Sequence, residues 1–194
     1  MTRFSLALSA MAFSLTATAS HAADCAYNAE SPFDLEQSEI DVLYDCVKDA
    51  MAEGYAKQGD ATGSEYRSWT VTATSAAVQG AHSKRALLTF ANDIAAEQYL
   101  KFEEEGVVMP VGSVLAKESV SFSKKKKQAR PGPLFIMTKV AAGEAPETND
   151  WVYGGLQPNG KPMKFKQAFC HDCHAAWEDQ DFLAYPVEEV RVGN

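Results

Sequence analysis

Close to its C-terminus the chain reads Cys170-His171-Asp172-Cys173-His174. Two thiols three residues apart, followed at once by an imidazole, form the C-x-x-C-H pattern of covalent c-type haem attachment. The spacing has a chemical reason. Each thiol can form a thioether to one vinyl-derived carbon of the macrocycle, and the next imidazole reaches the iron from one face. Cys170 and Cys173 are therefore the expected attachment points of one haem c, and His174 the expected proximal iron ligand. His171 and Asp172 fill the free positions. Rival readings of these residues are poorer. A structural zinc needs four nitrogen or sulfur ligands, and this run supplies at most three. A C-x-x-C redox site usually opens a helix after a strand in a cytosolic fold.

The other end of the chain agrees on the compartment. Met1-Thr2-Arg3 is a short basic region, an apolar run follows from Phe4 to Leu15, and Ser20-His21-Ala22 is a small-x-small cleavage site. Residues 1–22 thus read as an export signal, too short and too weakly apolar for a retained membrane span. The expected location is the periplasm. The remaining residues suit one domain with a substantial core. A formal net charge of −8 makes nucleic acid and anionic lipid poor partners. Cys25 and Cys46 are an even pair in an oxidising compartment, so a disulfide is the expectation. Closing about twenty residues is worth roughly 3 kcal/mol in the chain-entropy model and would pin the N-terminal segment onto the first helix.

That helix spans Ile40 to about Gln58, with Ile40, Leu43, Tyr44, Val47, Met51 and Tyr55 at helical spacing. Ser38 and Asp41 resemble a capping box, and Gly59 ends the helix. Asp60 to Gly63 reads as a loop, and Ser64 to Ser75 is ambiguous between helix and strand. Lys84 to Ala91 reads as a strand and Asp93 to Glu105 as a helix. Val111 to Phe122 alternates as a long strand, with Val114, Ala116, Val120 and Phe122 on one face and Leu115, Lys117, Ser119 and Ser121 on the other. Glu118 falls on the apolar side. The run Lys124 to Lys127 reads as a solvated hairpin tip whose like charges guard a sheet edge. Leu134 to Val140 and Trp151 to Leu156 are further strands, the latter closed by a turn at Pro158-Asn159-Gly160. Helices and strands occupy separate runs, which predicts an α+β fold around an antiparallel sheet. The expected division is a signal at 1–22, an N-terminal helical segment at 23–63 and a haem domain at 64–194.

After His174 the sequence holds no Met, His, Lys or Cys. A sixth iron ligand would have to come from upstream, from Met109, Met137, Met163, His82 or Lys117, and no spacing singles one out. A methionine is more often core filler than ligand. The expectation is an open or weakly occupied second face, able to bind small molecules.

Several segments together resemble the cytochrome P-460 family and the related cytochromes c-prime-beta. Tyr66-Arg67-Ser68-Trp69 is similar to an early Tyr-Arg-x-Trp element. Pro110 to Glu118 resembles a strand of pattern Gly-Thr/Ser-x-x-x-Lys-Glu, and Asp150-Trp151-Val152-Tyr153 a later tryptophan strand. Asp181 and Tyr185-Pro186 then follow the haem motif as in the family's tail. The resemblance covers about Ser64 to Val192. It implies that Lys117 holds the place of a lysine that links covalently to the macrocycle, as in relatives that oxidise hydroxylamine and react with nitric oxide. It also implies a homodimer and a periplasmic cytochrome as electron partner. His82, Arg85 and Glu118 are the candidates for the distal side. Three functions remain open: an oxidoreductase for hydroxylamine or nitric oxide, a protein that binds nitric oxide or another diatomic gas, and a simple electron carrier.

Overall fold

The structure, a computed structural model, describes residues 25–193, so the export signal read at 1–22 lies outside the described residues. Its centre is the alternating run read above. Val114–Ser123 forms β4, the middle strand of a seven-stranded antiparallel sheet. The order is β1 (Thr70–Val71), β3 (Ala86–Ala91), β4, β6 (Leu134–Lys139) and β7 (Trp151–Leu156). Two short strands complete it: β2 (Ala77–Val78) beside β3 and β5 (Gln128–Pro131) beside β4. The first half of β4 pairs with β6, with Lys117 opposite Phe135, and the second half pairs with β5. The fold is α+β, as the segregated runs predict.

The period of two gives β4 two different faces. Ala116, Glu118 and Val120 are buried on the side covered by α1 (Gln37–Ala56), in a core with Leu43, Met51 and Tyr55. Leu115 and Lys117 point the other way. Leu115 belongs to a second core with Tyr99, Met137, Trp151, Tyr153 and Leu183. A chain with two apolar faces on one sheet must cover both. Here α1 covers one, and the C-terminal segments cover the other.

α1 buries Ile40, Leu43, Val47, Met51 and Tyr55, the stripe read from the sequence. Its cap lies slightly earlier than expected: the Glu36 backbone N–H donates to Glu39 Oε2 at 2.9 Å, so the reciprocal pair is Glu36 and Glu39 instead of Ser38 and Asp41. Cys25 and Cys46 form the expected disulfide. It ties the helix to a segment that hydrogen-bonds β5, with the Ala129 N–H donating to the Cys25 carbonyl at 2.7 Å. At the far end Gly54 packs directly on the turn after β7, where a Cβ would overlap the Pro158 carbonyl oxygen.

Some expectations need correction. Asp60 to Gly63 is not a loop, because the Asp60 side chain accepts from the Gly63 N–H and starts α2 (Ala61–Glu65). A 3-10 turn over Tyr66–Ser68 and β1 share the ambiguous stretch that follows. α3 is a single turn, Ala81–Lys84. α4 covers only Asp93–Tyr99, since Phe102 turns to φ 49° and packs its ring on Tyr99 and Tyr185. β4 starts at Val114 instead of Val111 because Gly112, at φ 89°, makes the preceding turn. The basic run is a turn with Lys124, Lys125 and Lys126 exposed, as expected of a solvated tip. Among the described residues no helix is long and apolar enough to cross a membrane.

Glu118 is the charged member of the first core, 1 % exposed. It accepts from the Tyr44 hydroxyl at 2.7 Å, from the Tyr66 hydroxyl, and from Arg67 Nε at 2.6 Å. Burial pushes its carboxyl above the usual range, and the bonds from Tyr66, Arg67 and Tyr44 pull it back. A buried carboxylate is tolerable only with such partners. Two stability outcomes follow. Glu118→Ala strands Arg67 and two hydroxyls and should lower the unfolding free energy by on the order of 3 kcal/mol, read as a shifted denaturant midpoint. Gly54→Ala forces α1 off the Pro158 turn and should cost about 1–3 kcal/mol in the same assay. A midpoint unchanged in either variant would contradict this packing.

Candidate haem site

α5 (Gln167–His174) carries the C-x-x-C-H motif against β7. Its first turn is clamped to the strand's open edge, because Gln167 Nε2 donates to the Tyr153 carbonyl at 2.9 Å and Gln167 Oε1 accepts the Tyr153 N–H at 2.7 Å. One helical turn separates Cys170 from His174, so both lie on one face of α5. His174 is buried, Cys170 is half-buried and Cys173 is exposed, and neither thiol is in a disulfide.

The orientation of His174 is fixed from behind. Its Nδ1 lies 2.7 Å from the Phe182 carbonyl oxygen, an acceptor, so Nδ1 holds the proton and Nε2 carries the free lone pair. Desolvation, with Lys117 nearby, pulls the imidazole down to about 4, against the raising effect of the Phe182 carbonyl. The ring is therefore a neutral donor at neutral pH, the form a metal ligand needs. The carbonyl itself sits on a strained segment, Asp181 and Phe182 having φ of 50° and 63°. Three contacts hold it there. Asp181 Oδ1 accepts from Lys139 Nζ at 2.8 Å, Asp181 Oδ2 accepts from the Met109 N–H at 2.8 Å, and Trp151 Nε1 donates to the Asp181 carbonyl at 2.9 Å.

Facing α5 are the residues read as distal candidates. Lys117 is half-buried, with Nζ 3.4 Å from the Ala184 carbonyl oxygen, and desolvation pulls its ammonium down to about 8. His82 rides on α3, where His82, Ser83 and Lys84 have φ of 52°, 63° and 59°. Consecutive left-handed residues with side chains are strained, by about 1–2 kcal/mol each. The His82 ring lies 4.2 Å from the Phe135 ring and 6.4 Å from the His174 ring, centroid to centroid. Burial, with Lys117, His174 and Arg85 adding to it, pulls this imidazole down to about 3. Arg85 braces the turn, donating to the His82 carbonyl at 2.6 Å and to Ser121 Oγ at 3.0 Å. Glu118 is the exception among the candidates: it lies on the opposite face of the sheet and takes no place at this site.

Between these walls is a cavity of about 730 Å³, lined among others by His82, Lys117, Phe135, Cys170, Cys173 and His174. A smaller cavity of about 40 Å³ continues from it under Tyr153 and Leu115. The larger volume falls in the range of small-molecule and cofactor sites, roughly 300–1,000 Å³. Its residues fit a haem. Two free thiols and an imidazole with a bare Nε2 supply the attachment chemistry, and Phe135, Phe165 and Trp177 supply an apolar wall for a flat macrocycle. Tyr185, also in the wall, has a buried hydroxyl without a protein partner. Among the described residues no three His, Cys, Asp or Glu side chains converge on one point.

Of the remaining sixth-ligand candidates, Met137 and Met163 line cavity walls, whereas Met109 packs into the second core. Sequence reading missed Gln167, Phe135, Tyr153 and the Asp181 clamp. Alternation alone places Phe135 opposite Leu134, whereas the Gln167 and Asp181 contacts are tertiary and leave no mark on local spacing.

No curated protein matches the chain. A family model described as Cytochrome P460 matches residues 63–184, which carry the sheet, Lys117 and the whole of α5. With most of the chain matched and a haem-sized cavity bounded by its motif, this protein belongs to the cytochrome P460 family and is a haem cytochrome.

Proposed function

We propose that the chain is an exported, single-haem c-type cytochrome that performs redox chemistry on a small nitrogen species, hydroxylamine or nitric oxide. The observation that carries this reading is that Lys117 and the C-x-x-C-H motif, distant in sequence, line one cavity together. In it Cys170 and Cys173 hold the haem covalently and His174 binds the iron. When bound, the haem supplies an electron acceptor and a site for a small ligand. Lys117, on the facing strand, is the candidate for an additional covalent link through its amine. The disulfide between Cys25 and Cys46 fits an oxidising compartment such as the periplasm, where a second cytochrome would take the electrons.

The protein's own groups have a simple division of labour. His174 is oriented by the Phe182 carbonyl, so its lone pair is presented without rotamer search. Oxidising hydroxylamine removes protons as electrons leave, so a base must stand near the ligand. His82 is a neutral imidazole in the cavity wall and can accept a hydrogen bond from the ligand, although burial, which pulls it down to about 3, leaves it a weak base. Phe135 and Trp177 exclude water from that wall.

Two experiments test the reading. Protein matured in a host competent for cytochrome c biogenesis should keep its haem through denaturing electrophoresis. Cys170→Ser with Cys173→Ser should lose it, and haem retained by the double variant would refute the attachment. The intact protein should show a reduced Soret band displaced far to the red and should oxidise hydroxylamine with an artificial electron acceptor. Lys117→Ala should lose the displaced band and at least tenfold of the activity while keeping covalent haem. A wild-type spectrum like that of ordinary haem c, unchanged in Lys117→Ala and with no turnover, would leave the gas-binding reading in its place.

A further inference from the structure

We propose that His82 is a displaceable second axial ligand of the haem iron, carried on the left-handed turn Ala81–Lys84. The inference rests on haem occupying this cavity and adds what meets the iron opposite His174. Both imidazoles line the cavity from separate segments, and their ring centroids stand 6.4 Å apart. A metal–imidazole bond is about 2 Å. Two such bonds and the half-widths of two rings come to roughly 6 Å, close to the observed spacing. Among the described residues His82 is the one histidine outside the motif. Its ring is not loose: it lies on Phe135, whose own position is set by pairing with Lys117 across β4 and β6.

The turn makes the bond breakable. His82, Ser83 and Lys84 are all left-handed without being glycine, and Ser83 and Lys84 are exposed while Ala81 and His82 are half-buried. Such a segment holds its shape only while its neighbours insist on it. Here the bracing is Arg85, which ties the His82 carbonyl to Ser121 on β4. A turn on the surface can swing outward without opening either core. An incoming diatomic or amine would then compete with an imidazole for the iron.

The test compares the purified holoprotein with His82→Ala, with covalent haem content measured on the same samples by denaturing electrophoresis. The wild type should be low-spin and six-coordinate by absorption and electron paramagnetic resonance, and His82→Ala high-spin. Added imidazole should restore the low-spin spectrum to the variant, which also shows that the variant is folded. Carbon monoxide association with the ferrous wild type should level off as concentration rises, because His82 must leave first. In His82→Ala it should stay proportional to concentration and be at least tenfold faster. A high-spin wild type, or a variant that stays low-spin, overturns the role of His82 while leaving the haem assignment intact. Samples without covalent haem overturn both.

Discussion

Two neighbouring residues of β4 are buried in opposite directions, and the rest of the molecule depends on that. Glu118 is locked into the first core by Tyr44, Tyr66 and Arg67. Because successive side chains of a strand alternate, this fixes Lys117 on the other face. A slip of one residue would put the carboxylate in the haem cavity and a lysine among Leu43, Met51 and Tyr55. The ion pair contributes little as a surface interaction would, yet buried it penalises the wrong register heavily. It also joins α1, the 3-10 turn at Tyr66–Ser68 and the central strand in one contact set. The cavity therefore takes its shape partly from a charge on the far side of the sheet.

On the cavity side a similar logic governs the histidine of the motif. His174 depends on one carbonyl, and that carbonyl depends on Asp181 keeping an unfavourable backbone conformation. Asp181 is held by a lysine from β6, an indole from β7 and a backbone N–H from the loop before β4. Strain at a functional site persists where surrounding contacts over-determine it. Here those contacts come from three separate stretches of chain. The histidine of the motif is thus referred to the sheet as a whole and not only to its own short helix.

Much of this was legible in the sequence, and the limits have physical causes. The C-x-x-C-H motif, the stripe of α1 and the alternation of β4 are local patterns, and each appears where expected. Alternation even put Glu118 among apolar neighbours. Its partners, however, lie 51 to 74 residues away, so a structural ion network looked like a distal-site candidate. α4 ends early because Phe102 finds aromatic partners, one of them Tyr185 from the C-terminal tail. The turn at His82 runs against backbone preference, and no propensity argument would have placed three left-handed residues there.

The electrostatics of the cavity bear on what it admits. Burial pulls His82 to about 3, His174 to about 4 and Lys117 to about 8, so all three bases are moved toward their uncharged forms. The one carboxylate nearby in sequence, Glu118, is kept behind the sheet, and Asp181 is neutralised by Lys139. An environment that resists charge on its own side chains resists it on a ligand for the same reason, the lost hydration. Uncharged small molecules, among them the nitric oxide or free hydroxylamine of the proposed function, meet no such cost. An anion would shed water against the same walls, where the cations among the lining residues are Lys117 and Arg85, the latter already engaged by the His82 carbonyl and Ser121. The walls thus set desolvation against the attraction of two cations for any anion, a balance that an uncharged ligand does not have to strike.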